Sequence, residues 1–373
     1  MLSVFREHGV VAKDSRDNSN QTAENRSIYQ LVHPGWLVTN RMKAWQGSVG
    51  ISTLRGIVSG HYICFAPRHR ESARYLNWLL RSSAYADGYA LISRGVRIGQ
   101  AEIDNDMFRV LPVLLPPHSE QEGIADFLDR ETAQIDKLIA KQEQLIDTVR
   151  ERRQAMVRHW IERPQAGDPR TDKLGRRSRI GNGSTPRRDE SSYWLDGDFP
   201  WLNSSFVNQP RVVNSDQFVT SEALRQCHLP IVSPGSLLVG LTGQGKTRGS
   251  VTILDVSATI SQHLAFVTPD KKYWDPEYLL WALTAAYDEL RSISDENGST
   301  KGGLTCEDLK RFRLVMPTLD TQREISRQLQ VATTQTERLI DRSLRLIELS
   351  KERRAALITS AVTGQIDVRE RVS

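Results

Sequence analysis

Cysteine is scarce. Cys64, Cys227 and Cys306 are the only three in 373 residues, they lie far apart, and none forms a Cys-x-x-Cys pair. That spacing excludes a disulfide framework and the common zinc ribbons, and makes buried, unreactive thiols the expectation. The eight histidines, His8, His61, His159, His228 and His263 among them, show no His-x-x-x-His or Glu-assisted pattern, so no metal site is expected. Long apolar runs are missing, and with them a membrane-spanning helix. The N-terminus, MLSVFREHGVVAKDS, has no basic region followed by an apolar core, so a cytoplasmic protein without membrane contact is expected. No Ser, His and Asp arrangement and no nuclease-like carboxylate cluster stands out. Lys and Arg number 50 against 45 Asp and Glu, a net charge of +5 that permits nucleic-acid binding without requiring it. Hydrophobic content of 39% and charge of 25% describe an ordinary globular chain, long enough for two or three domains.

What the chain does have is a long helical pattern over residues 116–162. At 1.5 Å per residue, roughly 40 helical residues make a rod about 60 Å long. Leu128, Ile135, Leu138, Leu145, Val149 and Met156 follow the alternating four-and-three spacing of a coiled-coil seam, and Ile124, Ile139 and Ile146 widen the stripe. Such a seam needs a partner, and the partner lies in the same chain. An offset of 201 residues carries Pro116 to Pro317, Gln121 to Gln322, Ile124 to Ile325, Leu128 to Leu329, Leu138 to Leu339, Leu145 to Leu346 and Met156 to Leu357, without a gap. The chain is an internal duplication.

The repeat extends into the segments between the rods, where the offset shifts. His33-Pro-Gly-Trp-Leu-Val38 matches Ser233-Pro-Gly-Ser-Leu-Leu238 at 200, Ser59 matches Ser261 at 202, and Tyr75-Leu76 matches Tyr278-Leu279 at 203. These segments read as mixed α/β globules, with β-branched runs at 30–38 and 56–65 and amphipathic helices at 72–81 and 276–286. The fold class is α+β: a globule over residues 1–115, a rod over 116–163, a Pro/Gly-rich linker over 164–172, a second globule over 173–316, and a second rod with a tail over 317–373. The symmetry has one defect. At an offset near 200 Met1 corresponds to Trp201, so roughly 30 residues, 171–200, have no counterpart in the first half: either the first globule is naturally shortened or the chain starts at an internal methionine.

Two motifs suggest chemistry. Residues 240–247, GLTGQGKT, satisfy the phosphate-loop pattern G-x-x-x-x-G-K-[ST] letter for letter, with Lys246 and Thr247 as the phosphate and metal residues of a nucleotide-binding enzyme. That pattern works when a helix follows, whereas residues 248–254, RGSVTIL, are Gly-broken and β-branched; a basic loop between strands is the favoured reading. Asp275-Pro276-Glu277-Tyr278 is a near miss for an amino-methyltransferase loop and is better explained as a helix cap.

Two kinds of stretch suit nucleic acid. Residues 173–188, KLGRRSRIGNGSTPRR, crowd six cations without an acid, and Arg176, Arg177, Ser184, Thr185, Arg187 and Arg188 are the candidate contacts. The second kind is the equivalent loop of each half, with Asn40, Arg41, Lys43 and Gln46 in the first and Gln244, Lys246, Thr247 and Arg248 in the second. Guanidinium forks suit phosphates and guanine edges, and amides suit adenine. A solvated basic surface without a ligand is the bland alternative, and a coiled-coil scaffold without DNA binding is the corresponding reading of the whole.

Taken together, the sequence resembles the specificity subunit of type I restriction–modification systems, over the whole chain. The rods carry the phrase Leu115-Pro-Pro-His-Ser-Glu-Gln121, then Ile124-Ala-Asp-Phe-Leu-Asp129, then Glu151-Arg-Arg-Gln-Ala155; related phrases return at Pro317–Gln322 and Lys351–Ala355. The globules carry Gly181-Asn-Gly-Ser-Thr-Pro186, Pro234-Gly235 and Ile260-Ser-Gln-His263. The resemblance implies two target-recognition domains, each reading half of a split double-stranded DNA target, and two rods packed as an antiparallel coiled coil that spaces them. It implies no catalysis and no cofactor on this chain. Modification (methyltransferase) subunits would bring S-adenosylmethionine, and a restriction subunit ATP and Mg. Because residues 171–200 lack a counterpart, recognition is expected chiefly through the second domain.

Overall fold

A computed structural model describes residues 1–13, 28–95, 101–162, 170–243, 245–296 and 303–368. The chain divides into two compact units, residues 1–145 with 342–373, and residues 146–341. Both rods form, as His118–Glu162 and Leu319–Val362, and each gives one segment to each unit. A unit is therefore one globule and two helix segments rather than a globule beside a separate coiled coil.

Within each unit the two segments run antiparallel. In the first, Ile124 and Leu128 share a core with Ile358, Ala361 and Val362, and farther along Asp136 binds Arg354 Nε at 2.9 Å. In the second, Val157 and Ile161 share a core with Ile325 and Leu329, and Arg153 binds Glu337 at 3.5 Å. The two ion pairs exchange under the 201-residue repeat, Asp136 corresponding to Glu337 and Arg153 to Arg354. Exposed pairs of this kind contribute about 1 kcal/mol at most, so they select register more than they stabilise.

The second globule is built on a five-stranded sheet in the order Ser178–Asn182, Leu264–Pro269, Leu237–Gly240, Val251–Leu254, Arg211–Val212. Alternation divides its faces. Leu237, Val239, Ala265 and Val267 pack toward Trp274, Tyr278 and the rod segments, while Leu238, Leu264 and Phe266 pack toward Leu202, Phe206 and Val207. The first globule repeats the central hairpin, Leu37–Asn40 pairing with both Val49–Ile51 and Tyr62–Phe65. In the second globule Ser178–Asn182, part of the unmatched stretch, covers the outer edge of Leu264–Pro269, with Ser178 opposite Pro269 and Asn182 opposite Ala265. The equivalent strand Tyr62–Phe65 is an edge strand among the described residues and is half-buried along its length.

A buried glutamine fixes each globule to its rod. Gln121 Nε2 donates to Pro116 O at 2.8 Å, and its Oε1 accepts from Ser72 N at 3.0 Å. Gln322 Nε2 donates to Pro317 O at 2.9 Å and Tyr273 O at 2.8 Å, and its Oε1 accepts from Asp275 N at 2.8 Å. Ser72 and Asp275 are the N-caps of the helices Ala73–Arg81 and Pro276–Ala285. The capping reading of Asp275 thus holds, its Oδ1 accepting from Tyr278 N at 3.0 Å. A second tie matches: Tyr75 OH donates to Leu114 O, and Tyr278 OH to Val315 O, both at 3.0 Å.

The seam differs in detail from its expected form. Leu128 and Leu329 are fully buried, and Ile135, Val149, Met156 and Leu357 are half-buried. Leu138, Leu145, Leu339 and Leu346 stay partly exposed, and the fully buried places fall to neighbours such as Ile146 and Ile347. Adjacent Leu-Ile pairs offer two stripes one residue apart, and the buried small hydroxyls Thr132, Ser343 and Ser350 decide between them, because they let the helices approach. The linker expectation also changes: Thr171–Lys173 is a strand paired with Arg313–Val315, and residues 163–169 lie outside the described residues. The cysteines are free but half-buried, with the Cys64 thiol pushed up to about 11 by burial.

Removing the glutamine leaves a cap N–H and carbonyl oxygens buried without partners. Gln121→Ala and Gln322→Ala are each expected to destabilise their unit by about 1–3 kcal/mol, read as a lower midpoint in chemical denaturation. Unchanged midpoints would show that the clamp is dispensable.

Candidate nucleic-acid interface

The candidate residues separate into those engaged inside the fold and those presented outward. Arg176 and Arg177 both reach the carboxylate of Asp172 at 3.4 Å, and Arg177 stacks on Tyr273 with its guanidinium carbon 3.8 Å from the ring centroid. Arg177 is thereby held against the base of the globule, whereas the Arg176 side chain stays 69% exposed; residues 173–188 are not one flexible basic loop, because Ser178–Asn182 within them is a strand. Arg248 is buried and paired with Asp295 at 2.6 Å, so it is a structural arginine and not an outward contact. Gln244 lies outside the described residues.

The phosphate-loop reading fails on geometry. After Lys246 and Thr247 the chain turns and enters the strand Val251–Leu254, antiparallel to Leu237–Gly240. Gly245 O accepts from Arg291 Nη1 at 2.7 Å, and Lys246 O from Tyr287 OH at 3.2 Å and Ser250 Oγ at 2.5 Å. A phosphate site needs converging N–H groups at a helix start; this is a β-hairpin whose carbonyls are tied to the helix Tyr287–Glu296. Lys246 itself is exposed.

The outward-facing set forms a strip along one edge of the second globule. His263 Nδ1 lies 3.0 Å from Thr242 Oγ1, its Nε2 lies 3.4 Å from Gln262 Nε2, and Gln262 Oε1 accepts from Thr185 Oγ1. Ser184 N donates to Ile260 O at 3.0 Å, anchoring the loop. At the far end Arg188 Nη2 donates to Gln217 Oε1 at 2.8 Å and the guanidinium carbon lies 4.0 Å from the Trp194 centroid and 4.8 Å from that of Trp201. Arg187 instead forks onto Asp189 at 2.8 and 3.2 Å, which raises its own pKa and lowers that of Asp189. Amide, hydroxyl, imidazole and guanidinium groups in one exposed row match the mixed donors and acceptors of base edges.

The first globule presents a sparser counterpart. Asn40 Oδ1 accepts from Met42 N at 3.1 Å, and Arg41 is ion-paired with Glu102, while Lys43 and Gln46 are exposed. Arg41 N donates to His61 O at 2.9 Å just as Leu241 N donates to His263 O at 2.9 Å, so the backbone frame of the two loops is shared.

Sequence reasoning missed Thr242, Gln262 and His263 as site residues, although Gln262-His263 belongs to a motif it had singled out. Gln217, Trp194 and Trp201 carried no signal, because what joins them to Arg188 is tertiary. Among the described residues no cluster of His, Cys, Asp and Glu could hold a metal ion, and no helix is long and apolar enough to cross a membrane.

The duplicated scaffold thus carries two mixed α/β globules, each clamped to long helices, and an exposed polar strip on the second. Comparison with known proteins gives the family: the type I restriction modification DNA specificity domain matches residues 15–148 and again 177–349, and the chain belongs to that family. Among curated relatives, the EcoR124I/EcoR124II specificity subunit of Escherichia coli is 21% identical over 257 residues, which is 67% of this chain and 62% of that protein. Among solved structures, a chain described under complex assembly and conformational transition of the type I R-M system aligns with a TM-score of 0.75 at 18% identity, covering 91% of this chain and 84% of that one. The HsdS subunit of Thermoanaerobacter tengcongensis aligns with a TM-score of 0.57 at 20% identity, covering 92% and 84%. At these identities the structural likeness speaks to fold.

The division into inward and outward arginines is testable. Arg248→Ala is expected to lower the melting temperature without altering sequence preference, and Arg188→Ala to weaken DNA binding at an unchanged melting temperature. Arg187→Ala should cost less binding than Arg188→Ala, since its charge is already matched by Asp189. The reverse pattern in paired melting and DNA-binding measurements would misplace the interface.

Proposed function

We propose that this chain is the non-catalytic DNA-reading subunit of a type I restriction–modification complex, with each globule reading one half of a bipartite duplex target. The observation that carries the reading is the duplicated glutamine clamp. A reader has to be held in fixed orientation on its spacer, and Gln121 and Gln322 tie the recognition-domain helix of each unit to the head of a rod through equivalent hydrogen bonds. The exposed polar strip supports the assignment of the second globule as the stronger reader. Modification subunits, carrying S-adenosylmethionine, and a restriction subunit, carrying ATP and Mg, would supply the chemistry. Leu138 and Leu145 remain 39% and 37% exposed, and their repeat equivalents Leu339 and Leu346 remain 42% and 39% exposed. Paired apolar positions on both rods suit docking by two copies of one partner.

Two experiments test this function. Affinity of the complex with its modification subunit should fall linearly in log–log against salt, whereas a scaffold without DNA binding would give no salt-dependent affinity at all. Inserting one helical turn into both rods should lengthen the unread gap in the methylated motif without changing either half-site; an unaltered gap would refute the rods as a spacer.

A further inference from the structure

We propose that Arg188 is a guanine-reading residue of the second globule, set in a readout posture by a platform of two indoles. The proposal rests on the DNA-reading function above and adds to it the residue and the base. Trp194 and Trp201 meet nearly edge to face, with centroids 5.3 Å apart and planes at 82°. The Arg188 guanidinium lies against both. The platform is locked to the loop that carries the arginine: Trp194 Nε1 donates to Arg187 O at 3.0 Å and Trp201 Nε1 to Ser184 O at 3.1 Å. Gln217, which holds Arg188 Nη2, is itself fixed through its backbone, its carbonyl accepting from Trp201 N at 2.9 Å and from Ser215 Oγ at 2.8 Å.

Charge and free donors make this arginine available to DNA, and its fixed plane separates it from a phosphate contact. Arg176, Arg177, Arg187 and Arg248 each have a carboxylate partner, whereas the hydrogen-bond partner of Arg188 is a neutral amide, so its charge is undiminished. Only one of its five N–H donors is used on Gln217, and the side chain stays exposed. A phosphate asks for charge and tolerates many orientations, so a lysine would serve. Stacking and the Gln217 bond instead fix the plane of the fork, and plane matters to a planar pair of acceptors, the O6 and N7 of guanine in the major groove. Stacking also removes rotamer freedom before binding, which lowers the entropic cost of the contact. Gln217, Trp194 and Trp201 are positioning residues in this arrangement.

The test uses the full chain assembled with its modification subunit and a library of randomised duplexes. Wild type should select a motif with at least one fixed G·C pair. Arg188→Lys, which keeps the charge, should lose discrimination at one such pair by roughly tenfold to a hundredfold, with the other positions and the salt slope unchanged. Gln217→Ala should relax the same pair to a smaller extent. An unaltered motif in Arg188→Lys overturns the assignment while leaving DNA reading by the chain intact. Arg188→Ala weakening every sequence alike, with the salt slope reduced by about one, identifies a phosphate contact and also overturns it. A wild-type complex that selects no motif overturns the underlying function, and with it this assignment.

Discussion

A single buried amide at the head of each rod sets the geometry on which the other features depend. Gln121 and Gln322 are fully buried, and each accepts from the backbone N–H at a helix cap while donating to a carbonyl in the turn that starts the rod. An amide suits this place because it offers donor and acceptor together on one rigid plane. A leucine of similar size would fill the space but leave both backbone groups without partners in an apolar surrounding. Hydrophobic packing of Tyr75, Leu76 and Leu79 against Ile124 and Leu128, or of Tyr278, Leu279 and Leu283 against Ile325 and Leu329, is tolerant of rotation. The directional bonds remove that freedom.

The rods themselves are weak in the apolar sense. Their large buried clusters lie where a rod end meets its own globule, while Thr132, Thr333, Ser343 and Ser350 occupy buried places along the seam. Thr132 Oγ1 and Ser350 Oγ turn back onto the carbonyls of Leu128 and Leu346, at 2.6 and 2.7 Å. A seam of hydroxyls contributes little transfer free energy but lets backbones approach and admits one register. That fits the contrast between the gapless 201-residue offset of the rods and the offsets of 200 to 203 in the globules. Loops absorb insertions at small cost, whereas one residue added to a rod would turn every seam position away from its partner.

The duplication, the two rods and the cap at Asp275 were all legible in the sequence. Each is a statement about period or correspondence, and period survives without coordinates. The choice between Leu138 and Ile139, or Leu145 and Ile146, was not, since both stripes satisfy a heptad and only the approach of the second helix selects one. Charge was the least legible property. Arg176, Arg177, Arg187 and Arg188 look alike in a run of cations, yet Asp172 holds two of them, Asp189 a third, and two tryptophans the fourth. The partners lie outside the run or face it by chance of chain direction, so composition could locate the interface but not its members.

The two globules share a backbone frame and differ in what they hang on it. The hydrogen bond from Arg41 to His61 and its match from Leu241 to His263 keep the same loop geometry, but Gly60 stands where the second globule has Gln262, and Met42 where it has Thr242. Duplication copied the scaffold, its clamp and its register; the reading side chains diverged on it. Under the function proposed, identical scaffolds with unlike strips read unlike half-sites, and the target has no two-fold symmetry although the subunit's sequence nearly repeats. The strand Ser178–Asn182 sharpens the difference, because it both closes the sheet edge beside Leu264–Pro269 and delivers Ser184 to Arg188 to the strip. Among the described residues no strand pairs with the outer edge of Tyr62–Phe65, so the two halves differ at that edge as well as in their strips.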